Sequence, residues 1–466
     1  MAHYDLCIIG SGSGNALIDE KLDGLSIALV DDGITFGGTC INRGCIPTKM
    51  FAYPADLART PEAAARVNLQ LSRGQADWEG LRDRIFGRID AISSGGEAWR
   101  GQNANVTLYR QTGRFVGDKA LKVGDETITA DTFVLAAGSR PFLPDVPGVA
   151  DPALADRLHT SDTIMRLDEQ PVTMVILGGG FIAAEFSHIF SSLGTKVTLI
   201  NRSERLLRRE DDDISERFTR LMPDDVNLRL GEQVQGLREG GDGRVAVLTR
   251  DADGQEQRYE GDVVLLAQGR VPNGDRLGVQ AAGIEVDDRG YVVVDEYQRT
   301  SVPGIWALGD VSDHHQLKHV ANYQERIVQH NLLHPDDLRA VDPKRVVAHG
   351  VFAHPQIAAA GLTEREAREQ GIDVAVAKQE YGSVAYGWAM EDTDHFVKLI
   401  ADKATRQVVG AHILGPEATL LIQPLLLGMT LGIDAPTMAR APYWIHPSLT
   451  EVVENALLGL GFPDQG

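Results

Sequence analysis

Leu6-Cys7-Ile8-Ile9-Gly10-Ser11-Gly12-Ser13-Gly14-Asn15 decides how the rest of the chain is read. A short apolar run ending in closely spaced glycines is a buried strand turning into a helix. Glycines are needed there because a backbone without Cβ lets a pyrophosphate approach the free amides and positive dipole of a helix N-terminus. Gly10 and Gly12 fit this dinucleotide fingerprint, but its third position, normally Gly or Ala, is Asn15, with Gly14 one place early. Ile27-Ala28-Leu29-Val30-Asp31 supplies the next strand and, about 20 residues on, an acid for ribose hydroxyls.

The pattern recurs. Met174-Val175-Ile176-Leu177 runs into Gly178-Gly179-Gly180-Phe181-Ile182-Ala183, where Gly178, Gly180 and Ala183 match without exception. A second matched pair, Thr132 to Pro141 and Val263 to Pro272, carries Ala137-Gly138-Ser139 in one copy and Gly269 in the other. The chain therefore reads as α/β and internally duplicated, with two Rossmann-like nucleotide-binding parts. After about residue 345 the fingerprints stop. Thr363-Glu364-Arg365-Glu366 is a capping box with Gly371 available to end its helix, and Phe396-Val397-Lys398-Leu399-Ile400 and Val408 to Leu414 read as strands of an α+β domain.

Composition narrows the function. The 466 residues hold 45 Lys plus Arg against 66 Asp plus Glu, a net charge of −21, which disfavours nucleic acid as a partner. No run approaches the roughly 20 apolar residues of a membrane helix. The first strand begins so early that no cleavable leader is expected, and a cytoplasmic location follows. The three cysteines, Cys7, Cys40 and Cys45, are too few for a disulfide framework.

Lys196-Val197-Thr198-Leu199-Ile200 ends in Asn201-Arg202 instead of an acid, with Arg205, Arg208 and Arg209 close by. Arginines accommodate a 2′-phosphate that an acid would repel, so this second site is expected to prefer NADPH over NADH. In Gly37-Gly38-Thr39-Cys40-Ile41-Asn42-Arg43-Gly44-Cys45-Ile46-Pro47-Thr48-Lys49 two cysteines lie five positions apart. A regular helix would separate them by about 7.5 Å of rise and roughly 140°. Gly44 and Pro47 permit a distortion that brings them together, and a helix starting near Pro47 would favour a thiolate on Cys45. A redox pair, two buried unpaired cysteines and a zinc site all remain open on spacing alone. Arg43 is expected to raise the thiolate population of Cys40 or Cys45 by its charge. Thr300 to Asp310 is a strand ending in Gly309-Asp310, either an acid for a polyhydroxyl chain or an Asp-led turn.

Taken in order, the first fingerprint, Cys40 to Lys49, the second fingerprint, Gly309-Asp310, and His446-Pro447 followed by Glu451 resemble the pyridine nucleotide-disulfide oxidoreductases over essentially the whole length. Tyr386 to Thr393 and Tyr443 to Pro447 look most like the mycothione reductase branch of that family. The resemblance implies FAD and NADPH as cofactors and no metal. It implies Cys45 as the thiol beside the flavin, in a thiolate-to-flavin charge-transfer pair, and Cys40 as the interchange thiol. Lys49 and Glu185 would pair near the flavin, and His446, held by Glu451, would shuttle the proton to the leaving thiol. Because that histidine comes from the other subunit in the family, a homodimer is expected. The FAD set is Gly10, Gly12, Ser13, Gly14, Asp31, Gly38, Thr39, Gly113, Ala137, Gly138, Ser139, Gly309 and Asp310. The NADPH set is Gly178, Gly180, Phe181, Ile182, Arg202, Arg208 and Gly269.

The implied divisions are a first FAD part over 1–148, an NADPH domain over 149–268, a second FAD or central part over 269–345 and a dimerisation domain over 346–466. Where glutathione reductases carry a substrate-binding arginine on the first fingerprint helix, this chain has Glu20, which disfavours a carboxylate-rich disulfide and suits mycothione, with thiol redox homeostasis as the role. Dihydrolipoamide dehydrogenase is the nearest rival, and a non-catalytic flavoprotein redox sensor the rival from another class. The basic turn at Arg202 argues against the first, and His446 with Glu451 against the second.

Overall fold

A computed structural model describes residues 1–463. The strand Ala2–Ile9 sits mid-sheet because its second half is buried on both faces, as a parallel strand in an α/β layer requires. It pairs in parallel with Ile27–Asp31 on one side and Glu126–Leu135 on the other. Val106–Arg110 extends the sheet beyond Ile27–Asp31, and the hairpin Gly113–Gly117 with Ala120–Val123 closes the far edge. Ile305–Ala307 returns from much later in the chain to pair with Glu126–Leu135, so Gly309 and Asp310 emerge beside the first fingerprint.

A second, fully parallel sheet has Thr173–Leu177 at its centre, flanked by Lys196–Asn201 and Val263–Leu266. A third sheet of five antiparallel strands, from Ala348–Val351 to Val408–Leu414, forms the C-terminal part. The capping box is present there: Thr363 accepts from the amide of Glu366 and the Glu366 carboxylate accepts from that of Thr363. The duplicated segments also meet, since Ser139–Pro141 pairs antiparallel with Arg270–Pro272.

The two fingerprints lead into different local structures. After Gly180 the chain forms a full helix, Phe181–Ser192. After Gly14 the expected helix is replaced by two 3-10 turns, Gly14–Leu17 and Glu20–Leu22. Side chains have taken the carbonyls that would continue the helix. Arg100, only 2% exposed, donates to the carbonyls of Asn15 and Ile18, and Gln329 donates to that of Leu17. Asn15 belongs to this arrangement, because its side-chain oxygen accepts from Arg100 Nε at 2.8 Å. Glu20 therefore lies exposed on a 3-10 turn and not on the fingerprint helix where it was expected.

The largest apolar core joins the parts that carry chemistry. Phe51, on the helix Cys45–Ala58, stacks on Trp78 with centroids 5.2 Å apart, and Trp78 meets Phe190 of the helix Phe181–Ser192 at 5.3 Å. This packing fixes one helix against the other, and with them Lys49 against Glu185.

Candidate active site

The cysteine stretch is helical but broken. Gly38–Asn42 forms one short helix, Arg43 and Gly44 leave helical geometry, and Cys45–Ala58 begins a second. Cys45 is thus the first residue of its helix, two positions before the expected start at Pro47, and sits among the free amides that favour a thiolate. Cys40 and Cys45 are both thiols, with Cys40 half-buried and Cys45 exposed. The break brings them within hydrogen-bond reach. That bond raises the Cys40 pKa, helped by burial, and lowers Cys45 to about 7, with the Lys49 charge acting in the same direction. The negative charge of the reduced pair therefore rests on Cys45.

Lys49 Nζ donates to both oxygens of Glu185, each at 2.8 Å. Glu185 is 5% exposed and also accepts from the amide of Phe352, whose ring lies 4.4 Å from Lys49 Nζ. Three separate stretches of chain thus fix one ion pair beside the cysteines. Arg43 has other partners. Its guanidinium lies 3.5 Å from Asp162 and donates to Thr35 Oγ1 at 3.1 Å. Both partners lie outside the cysteine pair, so the guanidinium is engaged by groups other than the two sulfurs.

The first fingerprint makes a cradle suited to the pyrophosphate of FAD. Gly10 takes φ of 116°, and a Cβ there would lie 2.2 Å from the carbonyl oxygen of Ala136. A Cβ on Gly38 would lie 2.6 Å from the Cα of Gly12, so the loop and the start of the redox segment touch through backbone alone. Gly14 fills the tight place of the missing third glycine, against Ile8 and Ala136. Thr39 follows Gly38, and Gly113 packs against Val30 and Leu121 at the sheet edge. Asp31 accepts from the Ser11 amide and is held by Arg110, which also binds Glu97.

Asp310 is drawn towards the same region. Ser139 Oγ donates to it at 2.7 Å, Arg270 Nε donates to Ser139 Oγ at 2.8 Å, and burial pushes the carboxyl up. Asn273 bonds the carbonyls of Ala137 and Gly138, and the amide of Gly309 donates to Gln324.

At the second fingerprint a Cβ on Gly178 would lie 2.3 Å from the Ala267 carbonyl oxygen, whereas Gly180 and Gly269 have open space before them. Phe181 is exposed and Ile182 half-buried at the start of the helix. Asn201 is used internally, donating to the carbonyls of Ser203 and Arg205. Arg205 is tied to Asp212, and Arg208 reaches Ser203 Oγ at 3.2 Å. Arg202 is exposed with no ion pair or hydrogen bond among the described residues.

His446 Nδ1 lies 2.7 Å from Glu451 Oε1, and Glu451 also accepts from the amide of Ser448. The hydrogen bond from His446 lowers the Glu451 pKa. The His446 side chain is 72% exposed beside exposed Tyr443 and Ile445, and within one chain it bonds neither cysteine. Residues that sequence reasoning missed are Arg270, Gln324, Phe352 and Lys318, whose Nζ donates to Ser13 Oγ at 2.8 Å. Arg270 lies in a duplicated segment but was given no role, and only the fold brings all four to these contacts.

Residues 4–325 match the family model for pyridine nucleotide-disulphide oxidoreductases, and residues 347–457 match that family's dimerisation domain. The chain is 48% identical over 469 aligned positions to a mycothione reductase of Mycobacterium tuberculosis, covering 99% of this chain and all of that one. It is 34% identical to a mercuric reductase of Staphylococcus aureus, over 94% of this chain and 80% of that one. The HOCl-induced flavoprotein disulfide reductase RclA from Escherichia coli superposes with a TM-score of 0.84 at 27% identity, covering 98% of this chain and 99% of that one. Among the described residues no helix is long and apolar enough to cross a membrane. With two nucleotide-binding sheets, a cysteine pair at a broken helix and a matched dimerisation domain, the chain belongs to the pyridine nucleotide-disulphide oxidoreductases, enzymes that couple FAD and a nicotinamide nucleotide to a disulfide.

Proposed function

We propose that this protein is an NADPH-dependent reductase of mycothione, acting as a homodimer in the cytoplasm. The observation that carries the reading is the polarised cysteine pair at the helix break, Cys45 acidic and Cys40 its hydrogen-bond donor. The substrate is supported by the 48% identity to a mycothione reductase and by the exposed acid Glu20, which disfavours a carboxylate-bearing disulfide. NADPH is supported by Asn201, which is no acid, and by the free Arg202 with Arg208 nearby. The FAD domain would comprise 1–148 with 269–345, the NADPH domain 149–268 and the dimerisation domain 346–466.

Bound FAD would supply the two-electron relay from NADPH to the cysteines. The glycines at 10, 12, 14 and 38 and Thr39 would hold its pyrophosphate, Asp31 its ribose and Asp310 its ribityl chain, with Gly113, Ala137, Gly138, Ser139 and Gly309 shaping the walls. Gly178, Gly180, Phe181, Ile182 and Gly269 would do the same for NADPH. Lys49, neutralised by Glu185, would keep a cation beside Cys45. Cys40 gives its proton to His446 and attacks one sulfur of the substrate disulfide, the S–S bond breaks, and one half leaves as a thiol with that proton. The Cys45 thiolate then attacks Cys40, releasing the second half as a thiolate that takes its proton from solvent and reforming the Cys40–Cys45 disulfide. Glu451 fixes the His446 ring and stabilises its imidazolium. Exposed Tyr443, Ile445, Leu427 and Leu431 support an interface that carries His446 to the second subunit's cysteines.

Anaerobic titration with NADPH or NADH, watching the long-wavelength charge-transfer band, tests the reading. A band formed preferentially by NADPH and discharged by mycothione, but not by glutathione disulfide, is the expected result. Equal response to NADH, or faster discharge by lipoamide, would overturn it.

A further inference from the structure

The strand Lys196–Asn201 follows the second fingerprint helix and ends on Asn201, where an acid would take a ribose hydroxyl. The Asn201 residue is 9% exposed, and its side chain is turned onto the loop that follows. Its Nδ2 donates to the carbonyls of Ser203 and Arg205, each at 3.0 Å. An amide has two N–H donors for this, whereas a carboxylate would set oxygen against oxygen. The same amide lies against the fingerprint, since a Cβ on Gly179 would be 2.5 Å from Asn201 Cγ.

We propose that Asn201 is the positioning residue for 2′-phosphate selectivity, folding the loop 202–208 beside the second fingerprint so that Arg202 and Arg208 are in place before the nucleotide arrives. This rests on the NADPH reading made above and deepens it. The arginines would meet the phosphate, and Asn201 acts through them.

The two ends of the loop are held differently. At the far end the Leu207 amide donates to the Gly179 carbonyl at 2.7 Å, the Leu206 amide to Thr219 Oγ1 at 3.0 Å, and Ser215 Oγ to the Leu206 carbonyl at 2.6 Å. At the near end the Arg205 carbonyl has no other donor among the described residues, and the Ser203 carbonyl has only a long bond from the Gly231 amide at 3.4 Å. Ser203 in turn carries Arg208, whose guanidinium donates to its Oγ at 3.2 Å, while the Arg205 guanidinium is spent on Asp212. Removing the Asn201 amide therefore frees 202–205 and leaves 206–207 pinned. Ordering the freed stretch then falls to the binding step and weakens the nucleotide that needs it.

The test is calorimetric titration of oxidised, FAD-loaded protein with adenosine 2′,5′-bisphosphate, which carries the phosphate, and with 5′-AMP, which lacks it. Asn201→Ala introduces no charge, so it separates a positioning role from the absence of an acid. It should weaken the bisphosphate by about three- to ten-fold and leave 5′-AMP within about two-fold. Hydrogen exchange of the nucleotide-free variant should quicken over 202–208. Asn201→Ser, whose hydroxyl is too short to reach both carbonyls, gives the same comparison if the Ala variant does not fold. A merely structural residue would weaken both ligands alike or neither, so an unchanged ratio of the two affinities in the Ala or Ser variant would overturn the proposal. Equal affinity of the unaltered protein for both ligands would overturn the NADPH reading and this inference with it.

Discussion

Removing the hydrogen bond that Cys40 gives Cys45 tests the electrostatics of the redox pair most directly. Cys45 is lowered to about 7 by that bond first, with Lys49 adding and burial opposing. At pH 7 about half of it is thiolate, against about 3% for an unperturbed thiol. A hydrogen bond to a charged group is worth about 1.5–3 kcal/mol, or roughly one to two pKa units, and exposure of Cys45 favours the low end. Cys40→Ala should therefore raise the midpoint by about one unit, to near pH 8, with Lys49 and the helix N-terminus keeping it below an ordinary thiol. The thiolate gains population as pH rises through the midpoint, so the variant at pH 7 should show several-fold less thiolate absorbance in anaerobically reduced protein. Arg43→Val should leave the midpoint where it is, because Asp162 already engages that guanidinium. An unmoved midpoint in Cys40→Ala, or a shift of equal size in Arg43→Val, would refute the reasoning.

Arg202→Ala combined with Arg208→Ala should raise the KM for NADPH by about ten- to a hundred-fold, the worth of one or two charge-assisted hydrogen bonds, and leave that for NADH little changed; steady-state kinetics with both nucleotides decide it. Lys398→Met should cost about 3–5 kcal/mol, measured by denaturant unfolding. Lys398 is 4% exposed and bonds Asp211, Asp213 and Glu364 at 2.8, 2.6 and 2.8 Å, so its loss leaves buried Asp211 without a cation. Burial would raise Asp211, yet the bond from Lys398 wins and its pKa is lowered. That stabilisation is present above the unfolded carboxylate value and fades as pH falls through the native one, and the variant should lose this acid dependence.

The glycine fingerprints, the cysteine stretch and the Gly309-Asp310 strand end were legible because each is a local requirement: a backbone without Cβ, a broken helix, an acid at a strand terminus. The Lys49–Glu185 pair, far apart in sequence, was reached only through family resemblance. The features that stayed hidden depend on side chains arriving from other elements. Nothing near Asn15 announces that Arg100, 85 residues away, will take its carbonyl and end the helix before it forms. The same holds for Arg43, whose adjacency to two cysteines in the sequence said nothing of Asp162. Lys318 stands only eight residues after Asp310, yet its bond to Ser13, 305 residues earlier, appears only in the fold.

The duplication also explains how two nucleotide sites can serve one disulfide. Two copies folded side by side would keep their fingerprints apart unless something beyond each sheet joined them. Here the matching segments after each sheet do so: Ser139–Pro141 and Arg270–Pro272 pair, bringing Arg270 of the second copy onto Ser139 of the first. Ser139 passes that contact to Asp310, at the end of the strand that returns to the first sheet. On the other side, Glu185 of the second copy's fingerprint helix reaches Lys49 of the redox helix. A chain of hydrogen bonds thus clamps the half proposed for NADPH to the half proposed for FAD on both flanks, one ending on Asp310 and the other on Lys49. Rigid spacing between the two sites follows from these contacts and the shared aromatic core, and a disulfide reductase needs that spacing, because its two electron-transfer steps share one intermediate carrier.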